Sequence, residues 1–308
     1  MSLHAFFKSE NAQNNPARLL SAKRRCTIAG VPIDCLSMDE AATAVGDALQ
    51  QRSGEPPFLI MGPNAQLTTL AQKNPLFAEV LRASSLNIPD GISIVLASKI
   101  LGGTISSRVP GGELMERLCC EAANRNLRIF LLGGLPGAAR EAAIQLQRRY
   151  PRLVIAGTYC PPLGFESNPV ESDHIRRLVA ESSPDLLFVA LGVPKQEIWM
   201  HQNCSTLPIG AAMAVGAAFD TLAGLRSRAP LWTQKLCMEW LYRLVQEPRR
   251  LWRRYLIGNT HFIYLVLKQF LVGSRQAEKL PPDISQEPRI AFPPLHSGHS
   301  SWKTGPQI

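Results

Sequence analysis

The chain has 308 residues, 45% of them apolar and 19% charged, with a formal charge of +9 at neutral pH. That length holds one large domain or two modest ones, and the apolar share makes the bulk globular rather than disordered. The positive balance favours anionic partners without naming one, while seven scattered cysteines with no CxxC pair and six dispersed histidines argue for reduced thiols and against a zinc cluster.

Residues 1–25 read as a flexible polar tail. The basic run Lys23-Arg24-Arg25 is not followed by an uncharged apolar core, so no secretory signal is expected. From residue 26 to 242 short apolar runs alternate with helical patterns. Phe58–Met61 reads as a buried strand, followed by a helix over 65–83. Asn87-Ile88-Pro89-Asp90-Gly91 leads into a helix start at Ile92. Arg128–Leu132 is a strand, followed by Gly133-Gly134-Leu135-Pro136-Gly137 and a helix through Tyr150. Leu153–Gly157 and Asp185–Leu191 are further strands, and 208–216 is a short strand passing into a glycine turn. Continuous apolar strands alternating with helices predict a Rossmann-like α/β domain, a mainly parallel sheet flanked by helices. Ligands of such sheets lie at the carboxyl ends of the strands.

Residues 243–273 form a basic amphipathic appendage, and 274–308 a disordered Pro-rich tail. Five arginines fall between 243 and 254, beside Trp252 and with the single acid Glu247. Arginine forks suit a diphosphate, a nucleic acid or an anionic membrane. The apolar stretch 255–267 is broken by Gly258, Asn259 and His261, well short of the roughly 20 residues that cross a bilayer. Leu251, Trp252, Tyr255, Leu256, Phe262, Ile263, Val266 and Phe270 supply apolar area for lying on anionic lipid. Pro248 and Gly258 predict a division into two or three short helices.

Each residue after a strand has a bland and a functional reading. Asn64 suits a helix cap better than a ligand amide. Asp90 suits an N-cap or a general base. Arg108 is a solvated turn residue or a phosphate contact. Gly133 and Gly134 form a tight turn or an anion cradle, with neither GxGxxG nor a P-loop lysine. Gln196 follows a buried strand where a sugar or base would be read, and the neighbouring Glu197 suits a helix start. Asp220 is a second strand-end acid, which the residues alone do not rank against Asp90.

Taken together, the strings Phe130-Leu131-Leu132-Gly133-Gly134, Pro184-Asp185-Leu186-Leu187, Gly192-Val193-Pro194-Lys195-Gln196-Glu197, Gly216-Ala217-Ala218-Phe219-Asp220, Arg228-Ala229-Pro230 and Glu239-Trp240-Leu241-Tyr242-Arg243 are similar to the WecG/TagA/CpsF family of bacterial glycosyltransferases. The resemblance runs from Cys26 to Phe270. It implies inverting, metal-independent transfer of a hexose from a UDP-sugar to a polyprenyl-diphosphate-linked saccharide, such as a teichoic acid linkage unit or exopolysaccharide precursor. It places the protein on the inner face of the cytoplasmic membrane. By matching positions, Asp90 is the implied base; Asn64, Arg108, Gln196 and Asp220 are implied pocket residues; and Arg243, Arg250 and Arg253 are the appendage arginines. Two positions depart from the family pattern: Gly62 stands where threonine is usual, and Gly111-Gly112-Glu113 replaces a Gly-Ser/Thr-Asp run.

Inverting transfer requires a base, an in-line acceptor and stabilisation of the leaving UDP. The chain has no DxD to hold a cation, so Arg243, Arg250 and Arg253 are assigned to the diphosphate, and no cofactor is expected. Expected partners are the UDP-sugar, the lipid-linked acceptor and an anionic membrane, with a homo-oligomer left open. Three rivals remain. A nucleic-acid binder would set the strand-end acids against a phosphate backbone. An NAD oxidoreductase would need GxGxxG after the first strand. A non-catalytic scaffold of the same fold is kept open by Gly62.

Overall fold

A computed structural model describes residues 25–50, 56–227, 233, 239–246 and 248–276. The Arg228-Ala229-Pro230 motif and nearly all of both expected tails lie outside these residues. Arg25 opens a strand, and residues 274–276 end a helix.

Strands β1 (Arg25–Ile28) and β2 (Val31–Asp34) form an antiparallel hairpin, which the sequence reading does not contain. Six further strands are β3 (Phe58–Met61), β4 (Leu86–Asn87), β5 (Arg128–Gly133), β6 (Val154–Tyr159), β7 (Leu186–Ala190) and β8 (Ala211–Ala214). They make one parallel sheet in the order β4-β3-β8-β7-β5-β6. Both faces are covered, which is why the strands read as unbroken apolar runs. Along β5, Phe130 and Leu132 enter one core layer and Ile129 and Leu131 the other.

The first layer takes helices α2 (Ala65–Ala71), α3 (Pro75–Ala83), α4 (Ile92–Ile100), α7 (Pro169–Ser182) and α8 (Lys195–Asn203). The second takes α1 (Met38–Gln50), α5 (Gly111–Arg125), α6 (Ala138–Arg149) and α9 (Ala218–Leu222). Fully buried residues such as Phe77, Phe188 and Phe219 each contribute about 1.5–3 kcal/mol of transfer free energy. The helix expected over 65–83 is in fact two. The Asn74 side chain accepts from Phe77 N–H at 3.1 Å, and Pro75 at the first helical position has no N–H with which to continue α2.

Asp34 ties the hairpin to the sheet. Fully buried, it accepts from Arg25 Nε at 2.8 Å and from the backbone N–H of Asn87 at 2.7 Å. That second bond fixes β4 three residues ahead of Asp90.

At the C-terminal end, α10 (Glu239–Gln246) is followed by α11 (Pro248–Gln276). Pro248 separates the two helices as expected, but Gly258 does not divide α11. Phe262 and Val266 on the same helix are buried in the first core layer, and their packing outweighs a glycine penalty of about 1 kcal/mol. Both were expected to face lipid and instead face the core. The outward side of α11 carries Ile263, Tyr264, Leu267, Phe270 and Leu271, all exposed.

Candidate functional site

Because the six strands are parallel, their carboxyl ends share one rim. Asn64 follows β3, Asp90 follows β4, Gly133 and Gly134 end β5, Gln196 follows β7, and Asp220 follows β8. Arg108 comes from the loop between α4 and α5. Its neighbour Val109 donates its N–H to Pro89 O at 2.9 Å, tying that loop to the residue before Asp90.

The β3 and β4 loops are pressed together. Asp90 N–H donates to Pro63 O at 3.2 Å. A Cβ added to Gly62 would lie 3.3 Å from Asp90 Cβ and 3.5 Å from its Oδ2, and one added to Gly91 would lie 3.7 Å from Asn64 Cβ. The cap position of α4 is Gly91, so Asp90 stands one residue ahead of it rather than at the N-cap the bland reading assigns. Asn64 does cap α2: its Oδ1 accepts from Gln66 N–H at 3.0 Å and Leu67 N–H at 3.2 Å. An amide capping in this way still has its Nδ2 donors to offer a ligand.

The β5 and β8 loops form the other half of the rim. Gly133 and Gly134 have φ of 104° and 84°; a Cβ on Gly133 would stand 2.5 Å from Ala190 O, so the tight turn requires glycine. Asp220 Oδ1 accepts from Leu135 N–H at 2.9 Å, and its Oδ2 lies 3.2 Å from Arg226 Nε. The carboxylate therefore braces the glycine turn against α9, a positioning arrangement. Gly137, with no side-chain cap, starts α6, whose first turn borders a cleft of about 180 Å³ lined by Gly137, Ala139, Arg140, Thr158, Tyr159 and Cys160. Burial and the Asp220 carboxylate push the Cys160 thiol up. The start of α5 lies beside the end of β8: a Cβ added to Gly111 would lie 4.0 Å from Ala214 O, and one added to Gly112 4.0 Å from Ala218 Cβ.

Gln196 is 3% exposed and donates from Nε2 to Glu197 Oε1 at 2.8 Å. Glu197 is 1% exposed, and burial pushes its carboxyl up to about 7 from an ordinary 4.5. Gln196 Oε1 and Glu197 Oε2 are buried without a hydrogen-bond partner. Residues 196, 199, 200 and 203 are all buried, a helical stripe whose spacing places Gln196 on the inward face. Nothing comparable in the sequence distinguishes Glu197 from a helix-start acid.

Arg243 lies on α10, and Arg250 and Arg253 on α11; their side chains are outside the described residues. The course of α11 is fixed by contacts farther along. Gly258 O meets Thr69 Oγ1 at 3.5 Å, and Gln269 bonds to Thr27 O and Ala29 N–H, both at 2.7 Å. Gln72 of the α2 C-cap also reaches Ala29 O. Thus α11 runs alongside α2 in the same direction, and its residues before Gly258 lead toward the Asn64 end. It also touches α4, which starts just after Asp90. Arg253 and Arg250 lie about 8 and 12 Å along the axis before Gly258. Among the described residues there is no group of three or more His, Cys, Asp or Glu that could hold a metal ion.

A six-stranded parallel sheet covered by helices on both faces, with Asn64, Asp90 and the Gly133-Gly134 turn at its strand ends, defines an α/β protein. The model of the "Glycosyl transferase WecG/TagA/CpsF family" matches residues 26–276, both sheet and α11, and the chain belongs to that family of glycosyltransferases. It is similar to proteins named N-acetylglucosaminyldiphosphoundecaprenol N-acetyl-beta-D-mannosaminyltransferase. With the one from Bacillus spizizenii it shares 34% identity over 68% of this chain and 78% of the relative. With that of Bacillus subtilis strain 168 the figures are 31%, 67% and 77%. With that of Staphylococcus aureus strain MW2 they are 29%, 82% and 94%.

Proposed function

We propose that the chain moves a hexose, with inversion, from a UDP-sugar to a polyprenyl-diphosphate-linked saccharide during cell-surface polysaccharide synthesis. N-acetylmannosamine is the first sugar to test, because the relatives above are named for its transfer. The observation that carries the proposal is the meeting of the Gly62–Asn64, Asp90 and Arg108 loops at one point of the rim.

Asp90 takes the proton from the acceptor hydroxyl as that oxygen attacks the anomeric carbon. Asn64, Arg108 and Gln196 hold the substrates in line, and Asp220 keeps the Gly133-Gly134 turn shaped for the donor. Backbone N–H groups at the start of α6 favour the donor diphosphate. Arg243, Arg250 and Arg253 stabilise charge on a diphosphate as the UDP bond breaks. Support for that role comes from the course of α11 over the two helices that begin at Asn64 and beside Asp90.

The acceptor is anchored in lipid, and the exposed stripe Ile263, Tyr264, Leu267, Phe270 and Leu271, with Lys268 beside it, suits an anionic membrane surface. No helix among the described residues is long and apolar enough to cross a membrane.

A panel of UDP-hexoses against a soluble polyprenyl-diphosphate-sugar analogue, scored by UDP release, tests the proposal. Release that needs both substrates is expected. Salt-sensitive nucleic-acid binding without UDP release would overturn it.

A further inference from the structure

The first two turns of α8 hold three buried polar atoms that have no hydrogen-bond partner among the described residues: Gln196 Oε1, Glu197 Oε2 and Trp199 Nε1. Buried orphans are costly, and folded proteins satisfy nearly all of their buried polar groups. Two of these belong to side chains that bond to each other, at the carboxyl end of β7 on the rim that carries the proposed site. Gln196 Nε2 faces Glu197 Oε1, which leaves Gln196 Oε1 as the outstanding acceptor.

We propose that Glu197 is a positioning residue for the transfer: it fixes the Gln196 amide so that Gln196 Oε1 accepts from a hydroxyl of the bound sugar, while Glu197 Oε2–H donates to a neighbouring sugar oxygen. The inference rests on the reading of Gln196 as a substrate contact. It requires Glu197 in its neutral form, and the surroundings favour that form. Helix α3, strands β3, β7 and β8 and the 3-10 turn Cys204–Thr206 pack against α8; the strands carry no titratable side chain, Glu79 and Arg82 of α3 are exposed, and burial pushes the Cys204 thiol up to about 12, which keeps it neutral. On α8 itself, Lys195 is engaged with Glu166, and His201 is half-buried one turn on. Among the described residues no cation is paired with Glu197, and burial pushes its carboxyl up to about 7.

The test is the pH profile of kcat/KM for sugar transfer in the wild type, Glu197→Gln and Glu197→Ala. Wild type should lose kcat/KM above about pH 7, as Glu197 ionises. Glu197→Gln, which can still accept from Gln196 and donate to the sugar, should match wild type at pH 6 within about 3-fold and lack that decline. Glu197→Ala should raise KM by about 10-fold, the worth of one hydrogen bond, with a smaller change in kcat. A decline that persists in a folded Glu197→Gln protein, or Glu197→Ala with unchanged KM, would overturn the inference. Asp90→Asn run in parallel separates the two failures: if that variant stays active, the reading of the site itself is wrong; if it is dead and Glu197→Gln keeps the decline, the inference alone falls.

Discussion

Gly62 leaves open the space against which Asp90 rests: any Cβ at position 62 would come within 3.3 Å of Asp90 Cβ and 3.5 Å of Oδ2. The first separation is closer than nearly all real Cβ contacts, so Asp90 would have to yield by a few tenths of an ångström. Gly62→Ala should lower kcat by roughly 10-fold, because small misplacements of a reacting group are expensive. UDP binding and thermal stability should stay near wild type. Steady-state kinetics with UDP titration check this, and an unchanged kcat would show that Asp90 tolerates the contact.

The hairpin should matter to the site through Asp34. Asp34→Ala removes the acceptor of both Arg25 and the Asn87 N–H. A loss of about 2–3 kcal/mol is expected, below the roughly 3–5 kcal/mol of a fully buried charged pair because Arg25 is itself partly exposed. Urea denaturation gives the number, and kcat should fall with it as β4 loosens ahead of Asp90.

Much of this was legible in the sequence, and for a definable reason. The strands are buried on both faces, so Phe58–Met61, Arg128–Leu132 and Asp185–Leu191 stand out as apolar runs. The rule that ligands gather at strand ends then points to Asn64, Asp90, Gln196 and Asp220. The hairpin was not legible because Arg25–Ile28 and Val31–Asp34 mix charged, polar and proline residues into what would otherwise be apolar runs, and the long-range bond from Asn87 N–H to Asp34 has no sequence signal. The break at Asn74-Pro75 was written in the cap and the proline but was overridden by the surrounding apolar pattern. For α11, composition alone gave lipid and core the same residues; packing sends Phe262 and Val266 inward and leaves Ile263 and Leu267 outside.

That division separates lipid binding from core packing. Truncating the chain before α11 would also strip Phe262 and Val266 from the core. Replacing Ile263 and Leu267 by Asp instead leaves the buried face intact. The double variant should keep its melting temperature within a few degrees yet lose most binding to liposomes containing anionic lipid. Phe262→Ala should do the opposite, costing about 3–5 kcal/mol of packing. Equal liposome binding by the Ile263/Leu267 variant would place the lipid contact elsewhere.

Glu197 also makes a prediction about stability. Its folded carboxyl titrates near 7 against an ordinary value of 4.5. Between those values the folded state holds a proton that the unfolded chain has lost, so stability falls as pH rises through this window and levels off above it. The contribution is roughly 3 kcal/mol, and Glu197→Gln should remove it. Thermal melts of both proteins at pH 5 and pH 8 measure the difference; identical pH dependence would mean that Glu197 ionises normally.

The most direct measurement is UDP release by Asp90→Asn from UDP-N-acetylmannosamine with an N-acetylglucosamine-diphosphate lipid acceptor, alongside UDP binding by calorimetry. Turnover should fall by about 10²–10⁴-fold with UDP affinity preserved. Turnover near that of the wild type would contradict the assignment of Asp90 as base.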